Sequence, residues 1–121
     1  MRTHTISIPR VPCSQNSDQW KGRWTRYHYK ATWKLEAWVL LKEQLIMPMN
    51  AVRLSAVVYF PDRRRRDLDN YHASIFKAVQ DALVAAGVIP DDDMRFIPEI
   101  PGLRFDHDKD NPRTVITLEE L

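Results

Sequence analysis

The alternation of apolar and polar residues predicts four short strands. Thr3–Ile8 alternates strictly and is followed by Pro9 and Pro12, which stop a strand. Residues 51–60 (AVRLSAVVYF) are rich in β-branched and aromatic residues, and we predict that this strand lies centrally in the sheet. Residues 94–97 and 113–118 predict two further strands, separated by a loop rich in Pro, Gly and Asp.

Helical periodicity predicts two helices. Residues 31–45 carry apolar residues at i, i+3, i+4 spacing, and this stripe is expected to face the core, with Pro48 beyond its end. Its members are Leu35, Trp38, Val39, Leu41 and Leu45, interrupted by Lys42.

The second helix is expected from Asn70. Asp69 or Asn70 would be the N-cap, and Gly87 would be the C′ residue. Its apolar face comprises Ile75, Phe76, Val79, Ala82, Leu83 and Ala86. Strands and helices together predict a single α/β domain over residues 1–121, with a small mixed β-sheet and about two main helices.

Composition narrows the cellular setting. The chain is 44% apolar, which is ordinary for a globular protein, and its one cysteine, Cys13, excludes an internal disulfide. No apolar run approaches the roughly 18 residues of a membrane span, and the N-terminus lacks an apolar signal core. The sequence therefore predicts a cytoplasmic protein that does not enter the membrane.

Charge is segregated along the chain although the net charge is only +2. Residues 1–34 contain seven Lys/Arg and one acid, whereas residues 91–121 contain four Lys/Arg and nine acids. A basic front with an acidic rear suggests a polyanionic partner on one side of the molecule.

Residues 13–30 are predicted to be a loop in which cations and aromatics alternate. Cations hold phosphates and aromatic faces stack on unpaired bases, so this composition suits nucleic acid. Packing of the aromatics onto the core, with solvated charges, explains the composition equally well. The residues are Lys21, Arg23, Arg26 and Lys30, with Trp20, Trp24, Tyr27 and Tyr29.

Two aspartates near the middle of the chain form a candidate metal site. In an extended backbone Asp67 and Asp69, two residues apart, point to the same side. Such a pair can hold Mg²⁺, which accepts one or two protein carboxylates and keeps its remaining positions for water and substrate phosphate. A third carboxylate could come from Asp91, Asp92 or Asp93. A purely structural role, as helix caps, is equally compatible with the spacing.

Basic residues flank these carboxylates on both sides. If the backbone alternates, Arg63 and Arg65 lie on the side of Asp67, while Arg64 and Arg66 lie on the other. One pair would hold the acids and the other would contact phosphates. Lys77 lies on the helix face that opens near Asp69, where it could neutralise charge on a phosphate. The alternative for Lys77 is a surface pair with Asp81 at i, i+4.

The motif RRRRDLDN, followed by a helix ending in DALVAAGVIPDDD, resembles the RusA-type Holliday junction resolvases of bacteria and their phages. The match covers about residues 58–95. This resemblance implies a small homodimeric α/β endonuclease that cuts four-way DNA symmetrically with Mg²⁺. It implies metal-binding roles for Asp67, Asp69 and Asp92, and a catalytic role for Lys77.

The sequence departs from the family pattern at the lysine, which is expected four residues after the second aspartate, where this chain has Ala73. About one helical turn is inserted before Lys77. The resemblance as a whole implies that the function is resolution of Holliday junctions in recombination and repair. The alternatives are a non-catalytic branched-DNA-binding protein on the same fold, or a nuclease for other branched DNA.

Overall fold

The computed structural model describes residues 2–121 and confirms a small mixed α/β fold. Three helices and a short 3₁₀ turn, Leu68–Asn70, accompany one four-stranded sheet. In chain order the helices and strands are β1 (Thr3–Ile8), α1 (Asp18–Lys21), α2 (Arg23–Glu43), β2 (Val52–Phe60), α3 (His72–Ala85), β3 (Gly102–His107) and β4 (Arg113–Glu120). Among these residues no helix is long and apolar enough to cross a membrane.

The sheet has the order β1-β4-β2-β3, so the predicted central position of β2 is confirmed. β4 pairs antiparallel with both β1 and β2, whereas β3 runs parallel to β2. The parallel pair brings the carboxyl ends of β2 and β3 to one edge, where Phe60 lies opposite His107. Segments that follow such ends are where α/β proteins build binding sites.

The prediction for residues 94–97 was wrong, because they form a turn in which the N–H groups of Phe96 and Ile97 donate to the carbonyl of Asp93. The strand β3 forms instead within the segment predicted as a loop. Leu103 and Phe105 on β3 are half-buried, while Arg104 and Asp106 are exposed. This alternation marks an edge strand with one covered face.

One face of the sheet is covered, and α2 and α3 are packed against each other in the same core. Alternate residues of β1, β2 and β4 point into this core. They include Ile6, Ile8, Leu54, Val58, Ile116 and Leu118, none more than 1% exposed. The opposite face of β2 and β4 is half-buried, apart from Arg53, which is exposed.

The predicted face of α3 is confirmed for all members except Ala86, which is half-buried. The helix ends as expected: Gly87 has φ +78°, its N–H donates to Val84, and the N–H of Val88 donates to Leu83. This pattern is a Schellman motif. The predicted cap was wrong, because neither Asp69 nor Asn70 caps α3. The Ala73 N–H donates at 3.1 Å to the side chain of Gln15, from the segment after β1.

The largest correction concerns α2. It begins at Arg23, so most of the segment predicted as a loop is helical. Its buried residues are Tyr29, Trp33, Ala37 and Leu41, and only Leu41 belongs to the predicted stripe. Leu35, Trp38, Val39 and Leu45 are all exposed. At about 100° per residue, the exposed stripe is centred about 160° from the buried face.

Candidate functional site

Three packed aromatic rings fix the segment that carries the arginines and aspartates. Phe60 ends β2, Phe105 lies on β3, and Tyr71 directly follows the DLDN motif. The three ring centroids are 5.3 to 5.5 Å apart, and all three pairs meet edge to face. Such pairs are favourable beyond the area they bury. Both ends of the 61–70 segment are therefore anchored at the carboxyl edge of the parallel strands.

The four arginines differ in their partners. Arg66 stacks its guanidinium 3.9 Å above the Phe60 ring and pairs with Asp62 at 2.8 Å, leaving its side chain 14% exposed. Arg64 also pairs with Asp62, at 3.3 Å. Within residues 2–121, Arg63 and Arg65 form no ion pair. Arg63 and Arg65 are thus the arginines free to meet a phosphate.

Two clefts border this segment. A cleft of about 320 Å³ is lined by Ser14, Arg65, Arg66, Asp67, Asn70 and Tyr71. A second, of about 310 Å³, is lined by Phe60, Asp62, Arg63, Arg64, Arg66, Phe105, Asp106 and His107. The predicted strict alternation of the arginines is wrong, because residues 63–67 are not a strand and Arg63 lines the cleft of Arg64.

Asp67 and Asp69 are exposed at the start of the helical region. Asp67 is extended (φ −99°, ψ 128°), but the 3₁₀ turn begins at Leu68. The extended backbone assumed for the pair therefore ends at Asp67. Their carboxylates form no ion pair in the described part of the chain, although four arginines precede them. Unpaired, accessible carboxylates are available as ligands for a hard cation.

The three acids of the 91–93 run have different roles. Asp93 pairs with Arg95 at 2.7 Å, and the side-chain and backbone hydrogen bonds from Arg95 lower the pKa of Asp93 to about 2. Asp91 accepts the backbone N–H of Asp92. Asp92 is left facing Lys77, with 3.6 Å between the Lys77 Nζ and a carboxylate oxygen. Of the three acids, Asp92 is the one that lies beside Lys77.

The predicted contact of Lys77 with Asp81 is confirmed, and Lys77 also contacts Asp92. Its Nζ lies 3.4 Å from Asp81 and 3.6 Å from Asp92. Partial burial lowers the pKa of Lys77, but the two carboxylates outweigh that effect and the pKa lies above its ordinary value. The amine is therefore a positive charge at neutral pH, held between α3 and the acidic turn that follows it.

The reversal after α3 explains how Asp92 reaches Lys77. Gly87 turns the chain back, and Val88 and Ile89 bury their side chains in the core. Lys77 lies eight residues before the end of α3, about 12 Å along its axis at ~1.5 Å per residue, within reach of a returning segment. Asp92 thus lies partway along the helix rather than at its start.

No group of three His, Cys, Asp or Glu residues within 2–121 is arranged to hold a metal ion. Asp67, Asp69 and Asp92 therefore do not form a preassembled three-carboxylate centre in a single chain. Their oxygen donors match the chemistry of Mg²⁺, which accepts as few as one or two protein carboxylates. The fit is one of donor type, and substrate phosphates or waters would have to complete the coordination.

A basic groove runs between α2 and α3. It encloses about 420 Å³ and is lined by Arg23, Arg26, Tyr27, Lys30, Ala31, Lys34 and Asp81. The four cations lie on a helix rather than a loop, within an arc of about 80°. Lys21 lies at the end of α1 and does not line this groove.

The prediction of residues 13–30 left two roles open for the aromatics, and the structure assigns them differently. Tyr29 is buried, donates a hydrogen bond to the Ser74 carbonyl at 2.7 Å and accepts one from the Cys13 N–H. Trp20 is half-buried and meets Tyr29 edge to face. Trp24 and Tyr27 are exposed. Lys34 continues the Lys30 face one turn on, but the predicted helix start at residue 31 separated the two.

No protein-family model matches the chain, and no curated protein matches it. The functional assignment therefore depends on the residues themselves.

Proposed function

We propose that this protein is a Mg²⁺-dependent, structure-selective DNA endonuclease that resolves Holliday junctions by paired symmetric nicks. The observation that carries the proposal is the environment of Asp67, an accessible carboxylate without an ion-pair partner, in a cleft shared with Arg65. A cation-binding acid beside an unpaired arginine suits hydrolysis of a phosphodiester.

The residues would divide the work as follows. Asp67 and Asp69, with Asp92, would hold Mg²⁺, which when bound activates water and polarises a phosphate. Arg63 and Arg65 would contact phosphates, while Arg64 and Arg66 keep the segment in place through Asp62. Lys77 would stabilise negative charge developing on the phosphate or the leaving oxygen. Lys21, Arg23, Arg26 and Lys30 would contact the DNA of the junction.

A homodimer is part of the proposal, because a two-fold enzyme matches the symmetry of a four-way junction cut twice. A second copy could also contribute carboxylates that do not meet in one chain. Sedimentation equilibrium, with and without a synthetic junction, tests this. A monomer at all concentrations, both free and on DNA, would contradict paired nicking by a dimer.

The activity test uses a labelled synthetic four-way junction incubated with purified protein in Mg²⁺ or in EDTA. We expect paired nicks only with Mg²⁺. Asp69→Asn should abolish nicking and leave junction binding equal or tighter, since it removes a candidate ligand charge that also repels DNA. Asp110→Asn, an exposed acid in the turn before β4, is the matched control and should cut normally.

The alternative functions predict other outcomes in the same assay. Junction binding without nicks in either buffer would indicate a non-catalytic DNA-binding protein. Faster cutting of a flap or a three-way junction than of the four-way junction would indicate a nuclease for other branched DNA. Equal loss of binding and cutting in Asp69→Asn would make Asp69 a structural residue.

A further inference from the structure

We infer that the groove between α2 and α3, lined by Arg23, Arg26, Tyr27, Lys30, Lys34 and Asp81, binds one unpaired strand of DNA rather than a duplex arm. The inference rests on the proposed function, because it specifies which form of DNA meets this surface. It adds Lys34, Trp24 and Tyr27 to the interface, and it assigns α2 a role different from that of the 61–70 segment.

The charge in the groove is uncompensated. Within residues 2–121, none of its four cations lies within ion-pair distance of a carboxylate. Asp81, the acid on the opposite wall, is engaged by Lys77 at 3.4 Å. Four like charges on one helix face repel each other. A polyanion in the groove would offset that repulsion.

The row of cations along the groove has the length of a short stretch of one strand. From Arg23 to Lys34 the cations extend about 17 Å at ~1.5 Å per residue, enough for a few nucleotides. One sugar–phosphate backbone that follows the axis of α2 would meet all four cations, which lie on one face of the helix.

Exposed aromatic rings beside the cations can stack on unpaired bases. Tyr27 lines the groove and is 63% exposed, and Trp24, one turn earlier, is 69% exposed with Arg23 5.5 Å from its ring centroid. Large rings left in water beside cations are typical of surfaces that stack unpaired bases. The bases of a duplex are already stacked on each other, so only an unpaired base can use these rings.

The groove also leads toward the candidate catalytic residues. Asp81 forms part of its wall and contacts Lys77, which in turn contacts Asp92. A strand held along α2 would therefore pass close to the Lys77 amine. This arrangement suits a branch point, where strands leave the duplex and unpaired nucleotides are exposed.

The test is fluorescence anisotropy with a labelled 12-nucleotide oligo-dT and a 12-base-pair duplex, both in EDTA. We expect the single strand to bind at least tenfold tighter than the duplex. Tyr27→Ala should weaken single-strand binding about tenfold, a typical loss for one stacked base. Lys30→Ala with Lys34→Ala should reduce the slope of log K against log salt by about 1.4, since each phosphate contact to a single strand contributes ~0.7.

Lys42→Ala is the matched control, because Lys42 is an exposed lysine of the same helix outside the groove. It should change single-strand binding less than twofold. Equal affinity for duplex and single strand, or no effect of Tyr27→Ala, would overturn the inference. Because the anisotropy assay contains EDTA and measures binding alone, its result does not depend on whether the protein nicks junctions. Conversely, if wild type nicks junctions but does not prefer the single strand, the inference about the groove is wrong and the proposed nuclease activity stands.

Discussion

Helices α2 and α3 pack against each other in the same core, yet the sequence predicted the buried face of only one. On α3 the apolar stripe is the core face, with Ile75, Val79, Ala82 and Leu83 fully buried. On α2 the stripe around Leu35 and Trp38 lies in solvent, and the core face contains Tyr29, Trp33 and Ala37. The most regular apolar pattern of α2 is therefore not its core face.

The difference follows from the composition of the two core faces. Apart from Ser74, the buried face of α3 is built from aliphatic residues and one phenylalanine at helical spacing, so its hydrophobic period is clear. The α2 face spans a predicted helix boundary and uses a tyrosine whose hydroxyl requires partners, Ser74 and Cys13, that are distant in sequence. Hydrophobic periodicity depends on where the apolar residues lie in the sequence. Hydrogen bonds to residues that are distant in sequence leave no trace in it.

The largest difference between the two faces of α2 is expected when two of its three tryptophans, Trp33 and Trp38, are replaced by alanine one at a time. Trp33 is 1% exposed and Trp38 is 37% exposed. Trp33→Ala should lower the free energy of unfolding by about 3–5 kcal/mol, the usual cost of truncating a buried aromatic residue. Trp38→Ala should cost clearly less. Urea denaturation of both variants measures this, and an equal loss would contradict the orientation of α2.

The next largest effect is expected on the nicking rate, when Lys77 on the exposed side of α3 is replaced. Lys77→Ala should lower the nicking rate on the order of a hundredfold, with junction binding little changed, because removing a charge that stabilises a transition state costs about 3 kcal/mol. Asp81→Ala removes one partner of the lysine but keeps its amine beside Asp92. It should therefore cut at a rate near that of wild type. Single-turnover nicking separates the two variants.

If Lys77→Ala nicks at the wild-type rate, Lys77 forms only a surface ion pair and has no catalytic role. The variant would then lose only a few tenths of a kcal/mol of stability. Because Asp92 would still lie in the same place, its role could be tested separately by Asp92→Asn.

Much of the fold could be predicted, because β1, β2, β4 and α3 each carry a local pattern that agrees with their final environment. β3 was missed, since its Leu103 and Phe105 face the core from an edge strand and the surrounding Pro, Gly and Asp residues indicate a loop. The cap of α3 was missed because Gln15 supplies it from 58 residues away.

The candidate site was predictable in residue type but not in arrangement. The contact of Lys77 with Asp92 depends on the chain reversal at Gly87, and spacing alone left Asp91, Asp92 and Asp93 equivalent. Likewise, the division of the arginines into Asp62-bound and unpaired residues depends on the aromatic anchor at Phe60. Both features arise from tertiary packing, which periodicity does not contain.

A smaller loss of stability is expected when Tyr29, the buried tyrosine of α2, loses its hydroxyl. Tyr29→Phe keeps the ring but leaves the Ser74 carbonyl without its hydroxyl donor, so we expect a loss of about 1–3 kcal/mol. Tyr27→Phe, at an exposed tyrosine of the same helix, is the control and should lose almost nothing. Thermal or urea unfolding at neutral pH gives both values.

The pH dependence of stability tests the same hydroxyl. Burial raises the pKa of Tyr29 well above the ordinary value of about 10. A raised pKa in the folded state means that this stabilisation is complete below about pH 10 and is lost as the pH rises toward the folded value. Wild type should therefore lose stability more steeply above pH 10 than Tyr29→Phe. Parallel curves would show that the hydroxyl is hydrated in solution.

The smallest effect is expected at the exposed stripe itself. Leu35 is 61% exposed, and glutamine has nearly the same helix propensity as leucine, so Leu35→Gln should change the free energy of unfolding by less than about 0.5 kcal/mol. Urea denaturation at two protein concentrations a hundredfold apart is the measurement. A loss above about 1 kcal/mol that grows with protein concentration would mean that a second copy covers the stripe. The apolar pattern of α2 would then mark an interface between subunits, and the same variant would sediment as a smaller species. A loss of that size without concentration dependence would instead place Leu35 in the core of its own chain and contradict the observed face of the helix.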